Sequence, residues 1–156
     1  MKHQKITWDE VNSYVASIAR EITISGWRPD IIVGLTRGGL APAVMLSHYF
    51  GIPMQTLKVS LRDDPDTELN ITLVQEALAG QRILIVDDIN DTGATIAWIK
   101  ENWANDADLI WTANVRFAVL IHNYGSSEYS DFMATAIDKR DDDVWIDFPW
   151  EKWWST

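Results

Sequence analysis

The sequence predicts an α/β fold, an open and mainly parallel sheet flanked by helices, within a single domain spanning residues 1–156. Three observations predict it. Ile31-Ile32-Val33-Gly34-Leu35 and Arg82-Ile83-Leu84-Ile85-Val86 are short, β-branched runs of the kind found in strands covered on both faces. Each is followed by a stretch with helical spacing of apolar residues. The segments between them end on glycine or proline, so strand and helix alternate along the chain.

The first element is a helix. Thr7 and Glu10 have the spacing of a capping box, Ile6 and Val11 that of a hydrophobic staple, and Val11, Val15, Ile18, Ala19 and Ile22 repeat on one face. After the turn from Gly26 to Pro29 comes the first buried strand, interrupted at Gly38-Gly39, and then a helix from Leu40 to Phe50 that Gly51 and Pro53 terminate. Met54 to Ser60 reads as the next strand. Leu61 to Asn70 is polar, acidic and contains a proline, the composition of a mobile loop, and Ile71 to Leu78 is a short helix or strand before Gly80. Arg82 to Val86 is a strand, Gly93 to Trp103 a helix and Thr112 to Ile121 a strand. Residues 138–156 break the alternation and are expected to cap one end of the sheet as a hood.

Composition narrows the function classes. A net charge of −10 is unsuited to a broad phosphate-backbone footprint, so no nucleic-acid partner is expected. Much of that charge is local, in Asp63 to Glu68 and Asp138 to Asp143. With no cysteine, thiolate chemistry and disulfides are excluded. No run of about twenty apolar residues occurs and the first ten residues do not resemble a leader, so a cytoplasmic protein with no membrane partner is expected. Of nine tryptophans, Trp111, Trp145, Trp150, Trp153 and Trp154 fall in the last third, where core or subunit contacts are the ordinary use of an indole.

Ligands of open α/β sheets sit beyond the carboxyl ends of the strands, which directs attention to Asp87-Asp88-Ile89-Asn90-Asp91-Thr92-Gly93-Ala94-Thr95. Adjacent carboxylates there are costly unless they meet a cation or hydroxyl donors, and Asp91 to Thr95 supply N–H groups and hydroxyls at a helix start. Asp91 and Thr92 also suit a plain helix N-cap. A receiver domain would need far more chain after this strand, and a dehalogenase-type phosphatase places its aspartates closer together than Asp88 and Asp91.

With the apolar run Ile83 to Val86 in front, the segment resembles the 5-phosphoribosyl-1-pyrophosphate (PRPP) binding motif of type I phosphoribosyltransferases. The resemblance implies that Asp87 and Asp88 hold the ribose hydroxyls, directly or through Mg²⁺, and that Asp91, Thr92, Gly93, Ala94 and Thr95 wrap the 5′-phosphate. Leu35-Thr36-Arg37-Gly38-Gly39 is similar to the family's pyrophosphate loop, with Arg37 suited to phosphoryl oxygens and the glycines to close approach of backbone amides. Arg62, and with it Lys58, are nearby cations that could reach pyrophosphate on loop closure.

Asp143 to Glu151 looks like the base-binding hood of the xanthine-guanine phosphoribosyltransferases of enteric bacteria, and Ile6-Thr7-Trp8-Asp9 like their start. That likeness implies a purine stacked on Trp145, its edge met by the Ile146 backbone, and Asp147 as a second metal or site-shaping residue beside Asp88. It also implies PRPP and a 6-oxopurine as substrates, Mg²⁺ as cofactor, Asp91 as the general base and a homodimer or homotetramer. Two departures bear on this. Where those relatives carry a purine-facing lysine at a strand end, this chain has His122 and Asn123, the residues left to contact the base. Where they carry Ser-Tyr in the mobile loop, this chain has Ser60-Leu61. A phosphoribosyltransferase for another base, and a non-catalytic PRPP-sensing regulator on the same fold, are the two rival readings.

Overall fold

A computed structural model describes residues 1–59, 71–103 and 114–155. In chain order the elements are β1 (Lys2–Lys5), α1 (Trp8–Ser25), β2 (Ile31–Thr36), α2 (Leu40–Phe50), β3 (Met54–Lys58), α3 (Ile71–Leu78), β4 (Ile83–Asn90), α4 (Ala94–Trp103), β5 (Val115–Asn123), β6 (Phe132–Ile137) and β7 (Val144–Asp147). The main sheet has the order β3-β2-β4-β5-β6 and every neighbouring pair is parallel.

Period-two alternation along the central strands sorts side chains between two cores. Ile32, Leu84, Val86, Ala118 and Leu120 face one layer, together with Val11, Val15, Ile18 and Ile22 of α1 and Ala43 and Leu46 of α2. Ile31, Val33, Ile83, Ile85, Val115 and Phe117 face the other, with Leu73 and Ala77 of α3 and Ile96 and Ile99 of α4. Helices on both faces explain why these strands read as unbroken apolar runs.

Helix α1 starts as expected. The Glu10 N–H donates to Thr7 Oγ1 at 3.1 Å, and the Thr7 N–H donates to Glu10 Oε2 at 2.7 Å. Gly26, in the left-handed conformation at φ 73°, ends it. Helix α2 has the bounds that Gly51 and Pro53 imply.

Three features depart from the sequence reading. Strand β4 runs on to Asn90, so Asp87 and Asp88 lie within the strand rather than after it, because its pairing with β5 continues through Asn90 and His122. Strand β5 likewise extends to Asn123. The hood is more than a cap: β7 pairs in parallel with β1 as a separate two-stranded sheet, in the register His3 to Trp145 and Lys5 to Asp147. Val144, Ile146 and Phe148 anchor it in the α1–α2 core beside Ile6.

The strand order reverses between β2 and β4, since β2 leads outward to β3 while β4 leads to β5 and β6 on the other side. A crevice opens at the carboxyl ends of two strands whose connections diverge in this way. The loops after β2 and β4 both lie there. Among the described residues no helix is long and apolar enough to cross a membrane.

Candidate active site

The loop after β2 is packed tightly against β4. A Cβ added to Gly38 would stand 2.1 Å from Asp88 Oδ2, and one added to Gly39 would stand 2.1 Å from the Val86 carbonyl oxygen. No side chain fits at Gly39, and one at Gly38 would displace the Asp88 carboxylate. The Gly39 N–H donates to the Leu35 carbonyl at 2.8 Å, closing the turn that leads into α2, and the Thr36–Arg37 peptide is cis. Arg37 is exposed and, with Gly38, Asp88, Trp150, Glu151 and Lys152, lines a cleft of about 620 Å³.

Asp87 and Asp88 stand next to each other on β4. The Asp88 N–H donates to Asp87 Oδ1 at 2.9 Å and the Ile89 N–H to Asp88 Oδ1 at 2.7 Å. Burial pushes both carboxyls up, Asp87 well above the usual carboxylate range because the charge of Asp88 adds to it. Among the described residues neither acid has an ion-pair partner. Such a pair fits a divalent cation and ribose hydroxyls. Among the described residues no group of three or more potential metal ligands occurs.

Asp147, expected to share a metal with Asp88, meets the amino-terminal strand. Its Oδ2 lies 2.9 Å from His3 Nδ1, because the β1–β7 pairing brings the two strands together. It lines a groove with His3, Lys5, Trp8 and Phe148, whereas Asp88 lines the two clefts beside the loops.

The loop after β4 wraps a smaller pocket of about 250 Å³, lined by Asp87 to Ile96 with Leu35 and Phe117. The Ala94 N–H donates to Thr92 Oγ1 at 3.2 Å as α4 begins. Gly93 has φ 91°, and a Cβ there would meet Ser127 Oγ at 2.6 Å and Ser126 Oγ at 2.7 Å. These serines, which the sequence reading missed, brace the loop: the Ser127 N–H donates to the Thr92 carbonyl at 2.9 Å, and Ser126 Oγ donates to Asn90 Oδ1 at 2.8 Å. Asn90 Nδ2 in turn donates to the Glu128 carbonyl and to Ser130 Oγ.

His122 belongs to this network. It is 5% exposed, its Nδ1 lies 3.3 Å from Asn90 Nδ2 and 3.1 Å from Ser130 Oγ, and burial lowers its pKa. Asn123 is fully committed as well. Its Nδ2 donates to the Asp91 carbonyl at 3.0 Å and to Asp91 Oδ1 at 3.1 Å, while its Oδ1 accepts from the Gly125 and Lys139 N–H groups. An amide with two donors and two lone pairs has no capacity left. His122 is thus buried in the network behind the loop, and Asn123 positions Asp91 and the turn at Lys139.

Lys139, which the sequence reading absorbed into the charged run before the hood, places its Nζ 2.8 Å from Asp91 Oδ2 and 5.8 Å from the centroid of the Trp145 ring. Trp145 is 47% exposed at the edge of the site. Ile146 turns its side chain into the core. Arg62 and the loop from Leu61 to Asn70 lie outside the described residues.

The sequence matches the family described as phosphoribosyl transferase domain over residues 3–153. A purine phosphoribosyltransferase from Pyrococcus horikoshii Ot3 is 29% identical, with a TM-score of 0.71 over 97% of this chain and 96% of that one. A hypothetical protein from Neisseria gonorrhoeae, solved with bound ppGpp, superposes at a TM-score of 0.72 with 22% identity over 97% of this chain and 90% of its own. A xanthine-guanine-hypoxanthine phosphoribosyltransferase from Helicobacter pylori superposes at 0.67 with 18% identity, covering 96% and 94% of the two chains. With the parallel sheet, the loop after β2 packed against β4 and the family match along nearly its whole length, the chain belongs to the phosphoribosyltransferase family.

Proposed function

We propose that the chain transfers the 5-phosphoribosyl group from PRPP to a 6-oxopurine, guanine, xanthine or hypoxanthine, releasing pyrophosphate in purine salvage. The observation that carries this reading is that Asp91 is held at the mouth of the PRPP-type loop while its ion-pair partner lies over the Trp145 ring, which joins a phosphate cradle to a stacking surface.

Each residue has a part. Thr92 to Thr95 take the 5′-phosphate at the start of α4, where backbone N–H groups and the helix dipole favour an anion. Asp87 and Asp88 take the ribose hydroxyls. Thr36 to Gly39 meet the pyrophosphate, with the Arg37 guanidinium donating to phosphoryl oxygens and the glycines letting the loop pack against β4. Trp145 stacks on the base. Mg²⁺, held by Asp88 and Asp87 together with substrate oxygens, would neutralise charge growing on the leaving group.

As an imidazole nitrogen of the purine bonds to C1 of the ribose, the bond from C1 to the pyrophosphate oxygen breaks. The imidazole proton passes to Asp91, which Asn123 holds in place from two sides. The sugar carries positive character at the transition state, and the neighbouring carboxylates lie on the same β4 edge.

Pyrophosphate release from PRPP and Mg²⁺ with guanine, xanthine, hypoxanthine, adenine, uracil and no base tests the reading. Release that depends on an oxopurine supports it. PRPP binding without turnover on any base would point instead to a regulator on this fold.

A further inference from the structure

The Thr92 carbonyl is held from two sides by one residue. Ser127 donates its N–H to that oxygen at 2.9 Å and its Oγ hydroxyl at 3.1 Å, which uses both lone pairs. The segment that carries Ser127, between β5 and β6, is itself anchored at several points. The Glu128 carboxylate takes the Lys100 ammonium of α4 at 2.9 Å, and the Glu128 carbonyl accepts from Asn90 Nδ2 of β4 at 2.9 Å. Ser126 Oγ accepts from the Glu128 N–H at 3.2 Å and closes the turn. Strand, loop and helix are thus tied through one short segment.

A peptide group is planar, so fixing its carbonyl fixes the direction of its N–H. The Thr92–Gly93 peptide is trans and its oxygen is drawn toward Ser127, so its N–H, which belongs to Gly93, points the opposite way. Thr92 and Gly93 line the pocket after β4 and Ser127 does not, which puts that N–H on the pocket side. Gly93 reaches this orientation at φ 91°, with Ser126 and Ser127 packed where a Cβ would stand. Among the described residues no group accepts from the Gly93 N–H. A backbone donor at the start of a helix suits an anion.

Building on the phosphoribosyl reading above, we propose that Ser127 is a positioning residue for the 5′-phosphate, holding the Thr92–Gly93 peptide so that the Gly93 N–H donates to a phosphoryl oxygen. Ser127 touches no substrate atom and acts through that peptide. Its hydroxyl sets the orientation before the ligand arrives, so the amide need not reorganise on binding. Without the hydroxyl only the Ser127 N–H remains on the Thr92 oxygen, and the peptide gains freedom that the phosphate must then remove. The loss should fall on ligands that carry a 5′-phosphate and spare those that occupy only the loop after β2.

The test compares the wild type with Ser127→Ala and Ser127→Thr, and with Ser127→Cys, a weak donor of similar shape, in place of the alanine variant if that one does not fold. Calorimetry gives the affinities for ribose 5-phosphate, for PRPP and for inorganic pyrophosphate with Mg²⁺, and the backbone amide spectrum follows the Gly93 N–H as ribose 5-phosphate is added. The expected result is a loss of about 3- to 10-fold in affinity for ribose 5-phosphate and PRPP in Ser127→Ala, with pyrophosphate affinity retained. KM for PRPP should rise by the same factor while kcat changes much less. Ser127→Thr, which keeps the hydroxyl, should recover most of the affinity. The Gly93 amide proton should move downfield with ribose 5-phosphate in the wild type and less far in Ser127→Ala. A purely structural serine would weaken all three ligands alike. That outcome, an unchanged affinity for ribose 5-phosphate, or a Gly93 amide that does not respond in the wild type overturns the inference and leaves the phosphoribosyl reading standing. A wild type that binds neither ribose 5-phosphate nor PRPP overturns that reading and this inference with it.

Discussion

Asn123 donates both amide hydrogens to one residue, Asp91, reaching its carbonyl oxygen at 3.0 Å and its Oδ1 at 3.1 Å. The bidentate hold fixes the carboxylate against rotation at the end of the phosphate loop. Asn123→Ala frees Asp91 without removing it, so kcat should fall about 10-fold while PRPP affinity changes little, as judged by steady-state kinetics beside calorimetry. A loss of PRPP affinity as large as the loss of kcat would place Asn123 in phosphate binding instead.

Gly38 and Gly39 separate two kinds of damage. A methyl group at Gly39 runs into the Val86 backbone oxygen, which cannot move without displacing β4, so Gly39→Ala should lower stability by about 1–3 kcal/mol. At Gly38 the obstacle is the Asp88 carboxylate, a side chain that can rotate away. Gly38→Ala should therefore melt closer to the wild type yet lose activity, because Asp88 is turned from its position. Thermal melting and activity measured on both variants check the contrast.

Mg²⁺ binding should depend on the substrate. With two adjacent acids and no group of three ligands among the described residues, Mg²⁺ alone should shift Tm little, PRPP alone modestly, and the two together by more than the sum. Differential scanning fluorimetry across the four conditions is sufficient. A large shift with Mg²⁺ alone would mean a protein site that does not need the substrate.

His122 makes stability pH-dependent in a known direction. Its partners Asn90 and Ser130 are neutral and burial lowers its pKa, so the folded protein resists protonation. The unfolded chain takes up a proton as pH falls below the ordinary value of 6.5, while the folded chain does so only at lower pH. Stability is thus fully present above 6.5 and is lost as pH falls from there through the lowered pKa. Urea denaturation of the wild type and His122→Gln between pH 5 and pH 8 isolates this contribution: the wild type should lose stability relative to the variant as pH falls.

Much of the fold was legible because its signals are local. The Thr7–Glu10 capping box, the Gly51-Pro53 stop and the apolar runs of β2 and β4 each act within a few residues. Strand β1, Lys-His-Gln-Lys and exposed throughout, has no apolar pattern to read and exists because β7 pairs with it. Strand β6 buries only Phe132 fully, which leaves little alternation. The two loops of the site were legible as motifs. Lys139 was not, since nothing in Asp138-Lys139-Arg140 signals an ion pair to Asp91, 48 residues earlier. The protein partners of His122 and Asn123 were not legible either, because their hydrogen bonds close only when β4, β5 and the turn after β6 come together.

The measurement that bears most directly on the central claim is a single-turnover experiment with excess protein, following conversion of guanine and PRPP to GMP by the wild type and by Asp91→Asn, with PRPP affinity measured on both. The account predicts GMP formation by the wild type, slowed about 10²- to 10⁴-fold in Asp91→Asn with PRPP affinity retained. GMP formed at equal rates by both proteins would contradict the assignment of Asp91, and PRPP bound by a wild type that makes no nucleotide would contradict transfer to an oxopurine.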